Sequence, residues 1–301
     1  MPPRSVRVRP THFLALPLHN HPTLRTRVAS FQNALLAQSP GVPGLDKSIV
    51  IDPRRMHFTL GVMALELEGP QSTTVEDALR LLESIQPQIS EDIGVGLGGV
   101  DVELDEMDVF NFDKVKGDEN GVYANVLFVG PSRDAKRKEG GKRLIKLTDL
   151  VHQTFKQAGY VTDPRPLKLH CTLLNTSHRR RPSPRQAFRY TSILESPACS
   201  LLFTPPDSPS PSTTTTTSTH PTTSPTTTTH PSTSSTSLPT AALPTAALPT
   251  SALPTTALST HPPKPIPIHL GTFNISSIEL WKMGSHGENN EYVSCGGISF
   301  G

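Results

Sequence analysis

The chain has 301 residues and a formal net charge of +2, from 28 basic and 26 acidic side chains, a balance too even to argue by bulk charge for a polyanionic partner. Three cysteines, Cys171, Cys199 and Cys295, without C-x-x-C spacing, make a poor disulfide framework and a poor zinc site, which favours a reducing compartment. No window approaches the roughly 20 apolar residues of a membrane span, and no long apolar run follows Arg4, Arg7 and Arg9 as a signal peptide would need; a soluble protein of nucleus and/or cytoplasm is expected, with no membrane partner.

Residues 1–10 read as a tail. The run 11–18 predicts a first strand, His19 to Pro22 a turn, and Thr23 the N-cap of a helix through Gln38 with Leu24, Val28, Phe31, Leu35 and Leu36 at helical spacing. Ile49 to Ile51 lead through Asp52-Pro53 into a strand expected to reach Leu67. A helix is expected over 73–89, with Val75, Ala78, Leu79, Leu82 and Ile85 along one side. A flexible joint over 94–99 precedes a half-exposed strand at 100–104. After a polar loop at 117–121, residues 122–129 give the strongest strand signal. A basic linker leads into a third helix ending at Ala158, whose Leu144, Leu147, Val151 and Phe155 lie three and four apart, with Gly159 a fitting C′ residue. A strand follows over 167–175.

From residue 208 to 263 there is neither a charged nor an aromatic residue, and a Leu-Pro-Thr-Ala-Ala-like unit recurs with leucines at 238, 243, 248, 253 and 258. Such a tract cannot bury a core, so 204–263 is expected to be a disordered Thr/Ser/Pro/Ala-rich insertion. Beyond it, 273–283 and 292–300 read as two closing strands joined by a Gly-Ser-His-Gly-Glu-Asn turn. The single domain is therefore expected to comprise 11–203 and 264–301, roughly 240 residues, an ordinary size.

One short pattern occurs twice: Arg55-Met-His57-Phe-Thr59-Leu60 and Lys168-Leu-His170-Cys-Thr172-Leu173. On a strand, alternate side chains share a face, so His57 with Thr59, and His170 with Thr172, face one way, while Phe58, Leu60, Leu169, Cys171 and Leu173 turn to a core. Two such strands side by side surround one cleft with two imidazoles and two hydroxyls. Two histidines suit acid–base work on a phosphodiester, one taking a proton from the attacking oxygen and the other protonating the leaving oxygen. The hydroxyls can donate to non-bridging phosphate oxygens. The scheme calls for no metal and no cofactor.

This paired signature resembles that of the 2H phosphoesterases, and within them the branch holding the A-kinase-anchor-protein-type domain and the phosphoesterase domain of activating signal cointegrator complex subunit 1. Residues 11–16, 168–176 and 292–300 carry the likeness. The resemblance implies an α+β, bilobal 2H phosphoesterase-like fold: two pseudo-symmetric lobes of antiparallel strands, helices outside, a central cleft. It implies a hydrolase acting on RNA ends or nucleotides with 2′,3′-cyclic or 2′,5′-phosphodiester bonds, with His57 and His170 as the acid–base pair and Thr59 and Thr172 binding phosphate. The alternative is a non-catalytic RNA- or nucleotide-binding module of a transcription-coactivator or repair assembly. Arg55 and Lys168, two residues before each histidine, and the run Arg179, Arg180, Arg181 with Arg185, are candidates for steering phosphate. For Tyr123, Phe128 and Trp281 a core role outweighs base stacking, and His19 and His21 read as turn residues.

Overall fold

The computed structural model describes residues 9–66, 73–93, 98–114, 118, 120–180, 186–203 and 263–300. The described residues belong to one compact unit of the chain, Met1–Ser208 with Thr260–Gly301, and the remaining unit is Pro209–Ser259. The second unit, and with it nearly all of the expected insertion, lies outside the described residues, as do residues 1–8, Leu67, 94–97, Arg181 and Arg185.

The first unit is an α+β fold whose strand pairings, among the described residues, are all antiparallel. Its strands are β1 (His12–Pro17), β2 (His57–Met63), β3 (Val100–Phe110), β4 (Asp113–Lys114), β5 (Val122–Ala124), β6 (Val126–Gly130), β7 (Cys171–Asn175), β8 (Phe188–Arg189), β9 (Ile266–Ile275), β10 (Ser277–Lys282) and β11 (Ser294–Ser299). Its helices are α1 (Pro22–Ala37), α2 (Val75–Ser84), α3 (Gln86–Ile93), α4 (Glu139–Gln157), α5 (Tyr190–Leu194) and α6 (Ser200–Phe203). One four-stranded sheet has the order β11-β10-β1-β2 and a second the order β7-β6-β3-β9; β4, β5 and β8 form a small third sheet. Each large sheet thus ends in a strand that carries one His-x-Thr motif, whole in β2 and from Cys171 on in β7.

Several elements depart from the periodicity reading. Pro22, with its fixed φ, takes the first turn of α1, so His21 and not Thr23 is the N-cap residue. The buried stripe of α1 is Leu24, Val28, Phe31, Gln32 and Leu35, while Leu36 is exposed. The expected 73–89 helix breaks at Ile85 into α2 and α3, because Pro87 cannot donate to the turn before it. Thr74 and Asp77 close a reciprocal capping box at the start of α2.

The expected 122–129 strand divides at Asn125 between two sheets. There Asn125 donates through Nδ2 to the Asn111 carbonyl and accepts the Thr176 hydroxyl, turning the chain. The half-exposed strand expected at 100–104 runs on to Phe110, and the first motif strand stops at Met63. In α4 all four spaced apolar residues are fully buried, and Gly159 sits at φ +83°.

The main core lies between the sheets and helices. A second, small cluster, Phe13, Ala15 and Trp281 with Val62 and Tyr292 against it, occupies the opposite face of the first sheet. Leu14 and Leu16 of β1 point to the main core, so β1 is buried on both faces and its sequence is apolar without alternation.

Candidate active site

Both motifs show one burial pattern. In His57-Phe-Thr-Leu-Gly-Val62 and in His170-Cys-Thr-Leu-Leu-Asn175 the first, third and sixth residues are half-buried and the other three are buried. Simple alternation would turn the fifth residue back to the cleft. It does not, because each strand carries a β-bulge after its threonine: Ala15 pairs Thr59 but Leu14 pairs Gly61, and Phe128 pairs Thr172 but Leu127 pairs Leu174. The extra residue is Leu60 in one strand and Leu173 in the other, and each bulge switches parity as an inserted residue must. Gly61 belongs to this arrangement, since a Cβ there would lie 2.5 Å from Val161 Cγ2.

His57, Thr59, His170 and Thr172 line a single cleft of about 1210 Å³, together with Arg55, Arg180, Lys47, Ser48, His178, His286, Asn290 and Tyr292 among others. The two histidines are held alike. His57 Nδ1 lies 2.7 Å from the Arg55 carbonyl, and His170 Nδ1 lies 2.7 Å from the Lys168 carbonyl. A carbonyl only accepts, so Nδ1 carries the proton in both rings and each Nε2 is left for the cleft. At His57 the Thr59 hydroxyl donates to that Nε2 across 3.1 Å.

Their surroundings differ. Phe13, Trp281 and Tyr292 wall His57 at ring-centroid distances of 5.0, 5.3 and 5.4 Å. This dehydration, with the charges of nearby His170 and Arg55 adding to it and the Arg55 carbonyl opposing, pushes its pKa down to about 4. His170 meets the edges of Phe110 and Phe128 at 5.0 and 5.6 Å. Burial, chiefly, lowers its pKa as well, opposed by the Lys168 carbonyl.

Arg55 is not on the strand; it ends a short 3-10 turn, and its side chain is buried. Nη1 donates to the carbonyls of Ser285 and Asn290, both at 2.9 Å, and lies 3.2 Å from His286 Nδ1, while the guanidinium stacks 3.6 Å from the Tyr292 ring centroid. Asn290 Nδ2 in turn donates to Asp52. The Gly-Ser-His-Gly-Glu-Asn turn is therefore pinned to the first motif as a wall of the cleft.

Lys168 instead points outward, pairing with Asp108 at 3.0 Å above Phe110 and Phe128. Arg179 does not line the cleft: its guanidinium is committed to Asp46 and to the carbonyls of Gly44 and Gln186. Arg180 does line it. Cys171 is buried beneath the site and its thiol is pushed up to about 12, so it is no nucleophile at neutral pH. Phe128 and Trp281 are buried ring walls. Among the described residues no three His, Cys, Asp or Glu side chains are grouped to hold a metal ion, and no helix is long and apolar enough to cross a membrane.

Sequence reasoning missed His178, His286, Asn290 and Tyr292. The last three sit more than 225 residues from His57, so no local spacing could have linked them to it.

The chain matches the model of a family described as the AKAP7 2′5′ RNA ligase-like domain over residues 10–198. It belongs to that family. Mouse activating signal cointegrator 1 complex subunit 1 is 29% identical over 174 residues, covering 58% of this chain and 44% of that protein. The chain thus spans under half the length of that relative. Solved structures with a similar course include E. coli LigT complexed with NADP+ (11% identity, TM-score 0.39, 97% and 98% of the two chains) and with 3′-AMP (10%, 0.40, 97% and 98%). The family and the paired motifs make this a 2H phosphoesterase-type domain.

Proposed function

We propose that the cleft is a metal-independent phosphoesterase site for RNA ends or nucleotides bearing 2′,3′-cyclic or 2′,5′-phosphodiester bonds. The observation that carries this reading is the matched pair: two imidazoles in one cleft, each with Nδ1–H tied to the carbonyl two residues before it. That bond holds the tautomer a proton-transferring Nε2 requires. His57, with a pKa of about 4 in the free protein, is neutral at working pH and acts as the base. It takes a proton from water as the oxygen attacks phosphorus. The bond from phosphorus to the 2′ or 3′ oxygen breaks, and protonated His170 gives its proton to that oxygen. Thr172 donates to a non-bridging oxygen, where negative charge builds, and Thr59 does the same once its hydroxyl turns from His57 Nε2 to the bound phosphate, which frees that nitrogen to take the water proton. Lys47, Arg55 and Arg180 make the rim attractive to a polyanion, and Arg179 and Lys168 contribute only at a distance.

The test is turnover of a 2′,3′-cyclic nucleotide and of a 2′,5′-linked dinucleotide in excess EDTA. Product in EDTA supports the proposal; activity lost to chelator and restored by a metal overturns it. A second reading follows from the relative's printed name, that of a complex subunit: the domain holds RNA or a nucleotide without turnover, within a transcription-coactivator or repair assembly in nucleus or cytoplasm. Binding of 3′-AMP or a short RNA with no product under any condition decides for it.

A further inference from the structure

The bulge leucines have a property that pairing alone does not explain. Each is the residue left without a ladder partner, at the same position of its motif, and each carbonyl accepts from a buried side chain on a helix. Leu60 O lies 2.7 Å from Nδ1 of His152 on α4. Leu173 O accepts from Nε2 of Gln32 on α1 at 3.2 Å, alongside the Ile51 N–H at 3.0 Å. The other hydrogen of the Gln32 amide goes to the Ile51 carbonyl at 2.8 Å, so both of its donors are spent at the approach to the cleft. His152 and Gln32 are 6% and 3% exposed in helices whose other buried positions are apolar, Thr148 excepted. Polar groups persist in such places where a buried partner requires them.

The arrangement is also crossed. α1 leads into the first motif, yet its Gln32 serves the bulge of the second; α4 leads into the second motif, yet its His152 serves the bulge of the first.

We propose that Gln32 and His152 are a pair of positioning residues, equivalent under the internal symmetry, that hold the two bulges and thereby aim the histidine and threonine of each motif into the shared cleft. A bulge bends its strand and re-aims the neighbouring side chains. Here the donor that fixes each bend sits on the helix preceding the opposite motif, so the two halves of the site are set against each other and not independently. Neither residue touches the cleft, and both act through Leu60 or Leu173. As far as activity reads it, this rests on the phosphoesterase reading above.

The experiment measures the imidazole ¹⁵N titrations of His57 and His170, with kcat and KM for a 2′,3′-cyclic nucleotide, in Gln32→Met and His152→Leu. Both variants keep bulk and remove the donor. His152→Leu shifts the titration of His57 and leaves that of His170; Gln32→Met does the reverse. In each, kcat falls about ten- to a hundredfold with KM nearly unchanged, as for a misaimed catalytic group. His152→Asn, which returns an N–H close to the Nδ1 position, restores most of kcat and the wild-type titration of His57. Core variants on the same helices, Val28→Ala and Phe155→Leu, give the destabilised baseline. The proposal is overturned if these produce the same shifts, if both histidines move together in either variant, or if His152→Asn rescues nothing. Should His152→Leu not fold, Gln32→Met and His152→Asn decide alone. Should the wild type show no turnover, the phosphoesterase reading fails while the crossed titration result still stands or falls by itself.

Discussion

The two halves of the cleft present the same five-part device with different settings. A carbonyl two residues back, an Nδ1–H, an outward Nε2, a threonine and a bulge occur in both. Around His57 three aromatic rings and a loop pinned by Arg55 exclude water. Around His170 two rings and an outward Lys168–Asp108 pair leave the site's other side plainer. Identical local geometry thus fixes where the nitrogens point, while the surroundings fix how readily each holds a proton. On the proposed mechanism, separating those two jobs lets one repeated motif supply both a base and an acid.

The most drastic way to break the comparison is to remove either ring. His57→Ala and His170→Ala are each expected to lower kcat on the order of 10²–10⁴-fold, with the double variant far less than the product of the two, since both protons move in one event. Single-turnover rates check this. A strictly multiplicative double variant would make the two halves independent.

Changing pH separates the two settings, at about tenfold in kcat/KM per pH unit outside the limbs. With His57 required neutral and His170 protonated, the acid limb falls below about 4 and the basic limb falls above a midpoint under 6.5. The apparent values belong to the pair. Tyr292→Ala hydrates His57, so the acid limb moves up toward 6.5 while the basic limb stays. Movement of the basic limb alone would exchange the two roles.

Much of this site was legible in the sequence, and the reason is specific. His57-Phe-Thr59 and His170-Cys-Thr172 alternate as strands do, and Phe58, Cys171 and Leu173 are buried as that alternation requires. The bulges also left a trace: Leu173-Leu174 puts two apolar residues in succession where strict alternation calls for a polar one. Illegible were features made by chain reversal. The Arg55 side chain reads as a strand-face cation until the loop of Ser285 and Asn290, some 230 residues on, folds back onto it. Likewise Arg179 reads as one of a basic run until Asp46 claims it.

Arg55→Met tests that loop. It leaves Ser285 O and Asn290 O without their common donor and Tyr292 without its stacking partner, so the wall loosens. Because the loop is a wall of the cleft and carries neither motif histidine nor motif threonine, the cost falls mainly on substrate binding: KM rises about tenfold, equal to about 1.4 kcal/mol, and kcat changes less. An equal loss in kcat would instead mark Arg55 as a group acting on the reacting phosphate.

Lys168 occupies the corresponding place before His170 and is expected to matter least. Its ammonium pairs with Asp108 where the side chain is 46% exposed, and such a pair contributes about 0–1 kcal/mol, diminished by salt. What His170 needs from this residue is the backbone carbonyl, which substitution leaves in place. Lys168→Met therefore lowers kcat/KM less than about threefold, and by less still at 0.5 M salt, where screening has already weakened the pair. A loss as large as that of Arg55→Met would mean that the two i−2 side chains are functional equivalents, and the asymmetry between the halves would then lie only in the aromatic rings.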